Sequence, residues 1–151
     1  PRTIVGVNVT NVGSDMASVT PMLDQIERRT GQLPEVLLAD ANHGGHAAIM
    51  DARARGVDPL IAVPKRRART DERDRRSTDA EIVAWMKRME DADAKELYRA
   101  RAGLCEWTNA QAAGRCNIRQ FLVRGLKKAT NVALLFAITV NLTQHLATLA
   151  S

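Results

Sequence analysis

The sequence predicts an α/β fold whose N-terminal part alternates strands with helices and whose C-terminal half is helical. Short apolar runs rich in β-branched residues recur within the first 63 residues, and segments with helical apolar spacing lie between them. Beyond a charged segment, helical spacing continues to the end of the chain. With 151 residues and 45% hydrophobic side chains, the chain is about one domain long and can bury a core.

Residues 1–63 are predicted to form a β-α-β-α-β unit. The first helix is bounded by Thr20-Pro21, a favourable N-terminal pair, and by Gly31, which stops it. The second strand is a short, uninterrupted apolar run, which is typical of a buried strand. The predicted elements are strand 4–10, helix 20–30, strand 36–39, helix 46–55 and strand 60–63.

Residues 64–93 are predicted to be a charged insertion or linker followed by a helix. Residues 65–76 mix basic and acidic side chains without apolar periodicity, so they either bind phosphates or form a solvated linker. Thr78 and Glu81 have capping-box spacing, and Ile82, Trp85, Met86 and Met89 then share one helical face.

Residues 94–151 are predicted to be helical, over 94–114, 117–128 and 130–149, with Trp107 in the core. The apolar run from residue 132 to 142 is about half of the ~20 residues that a membrane span needs, so it indicates a buried core helix and no membrane partner. No secretion signal is recognisable, and Cys105 and Cys116 lack a Cys/His cluster, which favours reduced thiols in the cytoplasm. The net charge of +5 favours an anionic partner such as nucleic acid.

Two carboxylates stand out by position. Asp40 ends the strand 36–39, and sites in open sheets are built at the carboxyl ends of strands, although a turn or capping residue is the alternative. Because each helical residue turns by about 100°, Glu106 shares its helix face with Arg99 and with small side chains that let a backbone or ligand approach. These small residues are Ala102, Gly103, Ala110 and Ala113. The alternative is that Glu106 is an ordinary solvent-facing side chain.

Several segments occur together in the order found in one family. They are Leu38-Ala39-Asp40, then Tyr98-x-x-Arg101-x-x-x-x-Glu106-Trp107-x-Asn109-Ala110, then Arg119-Gln120-Phe121-Leu122-Val123-Arg124-Gly125-Leu126-x-Lys128, and finally Asn141-Leu142. They resemble segments of DDE-type bacterial insertion-sequence transposases, in the C-terminal part of the catalytic domain, and the resemblance covers nearly the whole chain.

The resemblance implies a partial RNase H-like domain with about three strands remaining in residues 1–63, a helical part carrying the catalytic Glu in residues 94–151, and metal-dependent DNA cleavage and strand transfer. In that family two Asp and one Glu hold two divalent metal ions, Mg²⁺ or Mn²⁺. Asp40 is then the second Asp and Glu106 the Glu, both as catalytic residues and as metal ligands. The first Asp is expected before Pro1, so we expect a fragment that is inactive alone.

The implied partner is double-stranded DNA, at transposon ends and target, inside a bacterial cytoplasm, and a homodimer is compatible with the complete enzyme. Surface cations are expected to contact the DNA backbone, with ordinary solvated cations as the alternative. These cations are Arg99, Arg101, Arg119, Arg124, Lys127 and Lys128.

His43 stands where the family usually has an aromatic residue, and this departure predicts looser packing beside Asp40.

Two rival functions remain at this point. A non-catalytic DNA-binding or interaction module, left from a decayed mobile element, would share the charge without needing metal. Asp40, His43 and His46 at spacings of three suggest a zinc hydrolase site, but Gly44-Gly45 disfavours a regular helical ligand face.

Overall fold

The computed structural model describes residues 2–13, 17–63 and 79–150. Along these residues run five α-helices and two β-strands, so the mixed α/β class expected from the sequence is confirmed. Their order is α1 (Val19–Thr30), β1 (Val36–Ala39), α2 (His46–Ala54), β2 (Asp58–Ile61), α3 (Ala80–Arg88), α4 (Ala92–Ala110) and α5 (Leu126–Leu149).

The chain divides into two compact units. Ser14–Ala102 forms one, here the strand unit, and Pro1–Gly13 together with Gly103–Ser151 forms the other, here the helical unit. Helix α4 begins in the strand unit and ends in the helical unit.

The strand unit is built on a parallel pair of strands. β1 pairs with β2 in a register that runs from Val36 opposite Asp58 to Ala39 opposite Ile61, and α2 lies between the two strands in sequence. A parallel pair needs such a crossover, which the sequence predicted here. The predicted strand 60–63 is present, but it is shifted by two residues at both ends and spans Asp58–Ile61.

The core of the strand unit has two apolar clusters. One joins α1 to α2 through side chains that include Leu23 and Ala52. In the other, Ile82 and Trp85 of α3 pack with Ile49 and Ile61, and Met86 and Met89 pack against it. The predicted apolar face of α3 is therefore confirmed.

The ends of α1 and α3 follow from local chemistry. Gly31 ends α1 at φ 77°, as predicted, but Thr20 does not cap it, because the helix begins one residue earlier, at Val19. The Thr20 hydroxyl instead donates to Asp51 Oδ2 (2.7 Å). Asp79 caps α3 by accepting from the Glu81 N–H (2.9 Å). Thr78, the predicted cap, and the charged segment 65–76 lie outside the described residues.

The predicted first strand is wrong. Residues 2–11 form no strand in this structure, so the described sheet has two strands and not about three. A strand needs backbone partners on a neighbouring strand. At Ile4 the partner is a side chain instead: the Ile4 N–H donates to Asn141 Oδ1 (2.8 Å), and Asn141 Nδ2 donates to the Ile4 carbonyl (2.8 Å).

The predicted helix 117–128 is also wrong for most of its length. After α4 a π-helical turn spans Gln111–Arg115, and helix resumes only at Leu126. Asn117 at φ 51° and Gly125 at φ 90° have left-handed backbone angles that a right-handed helix excludes. Helix α5 then covers the predicted helix 130–149 with a start four residues earlier.

Helix α5 is buried on one face only. Ala137 and Val140 are its buried residues, while one stripe of large apolar side chains is exposed. Among the described helices it is the one long and apolar enough to cross a membrane, a property that core helices of soluble proteins share. The expectation of a buried core helix therefore holds for a single face. The exposed stripe is Leu135, Ile138, Leu142, Leu146 and Leu149.

Candidate functional site

Asp40 stands where the sequence placed it, directly after β1 at the carboxyl end of the parallel pair. Its backbone is extended, and Oδ1 accepts a hydrogen bond from the Asn42 N–H (3.0 Å), so Asp40 caps the short 3-10 turn Ala41–His43. The side chain is 42% exposed. The carboxylate is thus oriented by the turn and still open to solvent.

The histidines near Asp40 do not complete a metal site. His43 Nε2 lies 3.7 Å from Asp40 Oδ1, and His46 begins α2. Within residues 2–13, 17–63 and 79–150, no three His, Cys, Asp or Glu side chains are grouped so that they could hold a metal ion. The zinc site considered from the spacing of Asp40, His43 and His46 is therefore not formed.

Gly44 lets the chain turn closely beside the end of β2. A Cβ on Gly44 would stand 3.2 Å from the Ala41 carbonyl oxygen and 3.5 Å from Ile61 Cγ2, and the first distance is tighter than ordinary contacts. Gly44 ends the short 3-10 turn, and Gly45 precedes α2 as its N-terminal flanking residue. This close turn holds the Asp40 loop against the strand pair.

Glu106 lies on the part of α4 that belongs to the helical unit, and its side chain is exposed. The Glu106 side chain makes no hydrogen bond or ion pair with the residues that the structure describes. Gly103 and Ala110 are exposed as well, and a Cβ on Gly103 would meet nothing within 4 Å. The predicted strip of small residues is therefore open at Gly103, which leaves room for a ligand near the carboxylate.

Trp107, next to Glu106, was expected in the core, and that expectation is wrong. The ring is half-buried, and the Arg2 guanidinium carbon lies over it at 5.5 Å from the ring centroid. A cation over an indole face is attracted by the ring quadrupole. Trp85, by contrast, is buried as predicted, with 1% exposure.

The candidate DNA-binding cations fall into both units. Arg99 and Arg101 belong to the strand-unit part of α4, where Arg99 is exposed and Arg101 lies 5.6 Å from the Tyr98 ring centroid. The other four belong to the helical unit and are exposed. They do not share one short helix, as the sequence suggested. Arg119 and Arg124 lie in the irregular segment 116–125, and Lys127 and Lys128 lie in the first turn of α5.

The irregular segment packs on α5 around a cavity of about 300 Å³. Arg119 lines it together with Phe121 and Phe136, which are the two phenylalanines of the chain. Arg119 therefore lines this cavity while remaining exposed to solvent.

The carboxylates suit a hard divalent cation by their chemistry. Carboxylate oxygens are the ligands that Mg²⁺ and Mn²⁺ prefer, and both Asp40 and Glu106 offer accessible oxygens. Each lies in a different unit, and the described residues group no third ligand with either of them.

Sequence reasoning missed the role of Asn141. The residue was noted only within the Asn141-Leu142 pair, and its bonding partner Ile4 is 137 positions away. One signal was available, because an Asn inside an apolar helix needs a polar partner when it is partly buried.

A model of the family described as transposase DDE domain matches residues 2–142 of the chain. The match includes Asp40, Glu106 and all six candidate DNA-binding cations. Comparison with curated proteins gives no match, and comparison with solved structures gives none either.

Proposed function

Because the chain belongs to the family of transposase DDE domains, we propose that it is part of the catalytic domain of an enzyme that cuts DNA at insertion-sequence ends and joins the cut strand to target DNA. The observation that carries the proposal is the family match over residues 2–142. An exposed carboxylate at the carboxyl end of a parallel strand, Asp40, supports it, since this is where open α/β sheets build their sites.

In this proposal Asp40 and Glu106 are catalytic residues that bind divalent metal ions, Mg²⁺ or Mn²⁺. When bound, such ions activate the attacking oxygen and neutralise charge on the leaving oxygen. Asp40 is suited to the role because Asn42 orients its carboxylate while the side chain stays exposed. Glu106 is suited because the open strip beside it at Gly103 leaves space for a DNA backbone.

The cations of the helical unit are proposed to contact DNA phosphates. Arg119, Arg124, Lys127 and Lys128 are exposed and follow one another within ten residues of chain. Phosphate contacts from Arg and Lys fix the position of a protein on DNA without reading base sequence. Their proposed role is therefore to place the DNA, while the carboxylates act on it.

The family uses three carboxylates, and Asp40 with Glu106 supplies two. We propose that the 151-residue chain alone does not cleave DNA and that cleavage needs a further aspartate from an N-terminal segment. Three close carboxylates repel one another unless a cation is bound, so the complete set is expected to bind metal more tightly than the pair.

The test is cleavage of a transposon-end duplex in Mg²⁺ by the transposase that contains this chain. Asp40→Asn and Glu106→Gln are expected to abolish cleavage, because an amide is a poor ligand for a hard cation, and to leave DNA binding unchanged in a gel-shift assay. Glu96→Gln, an exposed Glu on the same helix, is the matched control and should cleave normally. Cleavage that persists in either of the first two variants contradicts the assignment.

The alternative is a non-catalytic DNA-binding module. It is favoured by one observation, that no third metal-ligating side chain is grouped with Asp40 or Glu106 among the described residues. DNA binding that does not change when Mg²⁺ is added, with no cleavage even by the larger protein that contains this chain, would support this alternative.

A further inference from the structure

We propose that the cavity between the irregular segment 116–125 and α5 binds one unpaired nucleotide of DNA, with its base against the two phenylalanines and its phosphate at Arg119. The inference rests on the proposed function and deepens it, because it names the form of DNA that the helical unit holds. An unpaired base is present wherever a duplex is opened or ends in a single strand.

Three parts of the helical unit form the wall of the cavity. Ala112 belongs to the π-helical turn after α4, Ile118–Phe121 to the irregular segment, and Ala133 and Phe136 to α5. The Ile118 N–H donates to the Ala112 carbonyl at 2.7 Å, so the first two parts are joined beside the cavity. Single π-helical turns next to α-helices occur frequently at functional sites. The local structure is therefore of a kind that ligand sites often use.

The side chains that line the cavity suit a planar aromatic ligand. Phe121 and Phe136 both line it, and Phe121 is 48% exposed, so its ring can be reached from solvent. Every base has a π face that stacks on an aromatic side chain, whatever its identity. Gln120 adds an amide that can donate to and accept from the polar edge of a base. The cavity thus offers contacts to both the face and the edge of a base.

The charge of the helical unit favours an anionic ligand. The unit has six Lys and Arg residues and one acidic residue, Glu106, so the whole formal net charge of +5 belongs to it. Arg119 is the charged residue that lines the cavity, and a guanidinium binds phosphate oxygens through parallel hydrogen bonds. Arg124, Lys127 and Lys128 follow within nine residues and supply contacts for neighbouring phosphates. A nucleotide, which joins a planar ring to a phosphate, matches both features.

The size of the cavity limits the ligand to one nucleotide. Its volume of about 300 Å³ is at the lower end of small-molecule sites, which run from ~300 to ~1,000 Å³. A base in an intact duplex is stacked on both faces, and removing it from the stack costs least where it is mismatched or already single-stranded. The expected ligand is therefore an unpaired nucleotide and not a base pair.

Two labelled DNA duplexes that differ by one unpaired thymine test the inference on the 151-residue chain. Fluorescence anisotropy gives a Kd for each duplex. The wild-type chain should bind the duplex with the unpaired thymine about fivefold or more tightly, which is the factor that stacking of one base on an aromatic side chain supplies. Free dTMP should compete only at a much higher concentration than unlabelled DNA, because it lacks the neighbouring phosphates. Equal competition by dTMP would overturn the assignment to DNA.

Phe121→Leu keeps an apolar side chain and removes the aromatic face. It should abolish the preference for the unpaired thymine and leave the Kd of the fully paired duplex unchanged. Leu122→Ala is the matched control and should keep the preference, because Leu122 is the next residue, is 86% exposed and does not line the cavity. Ala133→Phe fills the cavity from the side of α5 and should act like Phe121→Leu, so it serves if the latter loses its fold by circular dichroism.

Arg119→Gln tests the phosphate contact. Arg115→Gln is its control, because Arg115 is an exposed cation of the same unit that does not line the cavity. Arg119→Gln should weaken binding of the duplex with the unpaired thymine severalfold more than Arg115→Gln does. Equal losses in the two variants would contradict a phosphate at Arg119.

The results distinguish the inference from the function on which it rests. If the wild-type chain binds neither duplex, the DNA contacts proposed for the helical unit fail together with the inference. If both duplexes bind equally, or if the preference survives in both Phe121→Leu and Ala133→Phe, DNA binding stands and the inference alone is overturned.

Discussion

The Asp40 carboxylate caps a backbone turn and also remains exposed to solvent. Oδ1 accepts from the Asn42 N–H at 3.0 Å and so caps the turn, while the side chain remains 42% exposed. The capping role and the site role, which the sequence left as alternatives, are compatible. This is why Asn is the informative replacement: its amide oxygen can still cap the turn, and its lost charge removes metal affinity.

Glu106 is held differently, by its place on a helix whose neighbouring surface is open. A Cβ on Gly103 meets nothing within 4 Å. Gly103→Ala is therefore expected to stabilise the chain by about 1 kcal/mol, since Ala has a higher helix propensity than Gly and no clash opposes it. Urea unfolding measures this difference.

A bulkier side chain at the same position tests function. Gly103→Leu should reduce cleavage by the complete transposase without reducing stability, because it fills the space through which a DNA backbone approaches Glu106. Gly114→Leu is the control, since a Cβ on Gly114 also meets nothing within 4 Å.

The stability measurement on Gly103→Ala has its own contradicting outcome. If that substitution destabilises the chain, some group packs against the strip of small residues, and the strip is not open.

At the scale of elements, signals carried by adjacent residues predicted the structure well. Gly31 ended α1 as expected because a residue at φ 77° strongly favours glycine. Strand β1 was predicted with the observed bounds, because a short apolar run before a polar residue defines both of its ends. The placement of Asp40 followed directly from that strand.

Elements that depend on distant partners were predicted poorly. Residues 4–10 have the composition of a strand, but the backbone of Ile4 forms its hydrogen bonds with the side chain of Asn141, near the other end of the sequence. Apolar spacing across 117–128 suggested one helix, although Asn117 and Gly125 adopt backbone angles that spacing does not reveal. The contact of Trp107 with Arg2 was missed for the same reason.

Arg88 links three elements at the end of α3. Its guanidinium donates to Asp58 of β2 (2.9 Å), to Asp93 of α4 (2.8 Å) and to Asp91 (3.4 Å). The hydrogen bond to Asp58, followed by that to Asp93, raises the pKa of Arg88. The bond from Arg88 lowers the pKa of Asp93 below its ordinary 3.8.

Arg88→Leu is expected to lower the midpoint of urea unfolding at pH 7, with a loss that shrinks in acid. A carboxylate whose folded pKa is lowered contributes its stability above the ordinary pKa of 3.8, and that stability disappears as the pH falls through the lowered value. The difference between wild type and variant should therefore begin to shrink below about pH 3.8 and disappear once the pH lies below the lowered pKa of Asp93. Lys87→Leu, an exposed cation in the same turn, is the control. A difference that persists unchanged in acid would show that Arg88 acts through packing of its side chain and not through its ion pairs.

At the scale of the whole molecule, the buried side chains are unevenly divided. All the described core residues lie in the strand unit except Ala137 and Val140 of α5. The helical unit leaves the apolar stripe of α5 exposed, with Leu142 at 58% and Leu149 at 71%. Because burial of apolar surface is the main source of stability, the helical unit should be the weaker one.

The two tryptophans allow this difference to be measured in one sample. Trp85 is buried in the strand unit, and Trp107 is half-buried in the helical unit, so their indole N–H signals report each unit separately. We expect the native Trp107 signal to disappear at a lower urea concentration than that of Trp85, because fewer buried contacts hold its unit together. Asn141→Leu should lower the Trp107 midpoint further and leave the Trp85 midpoint in place, since the bonds it removes lie within the helical unit. Coincident midpoints, shifted together by the substitution, would instead show that the chain unfolds as one cooperative body and that its stability is shared across both units.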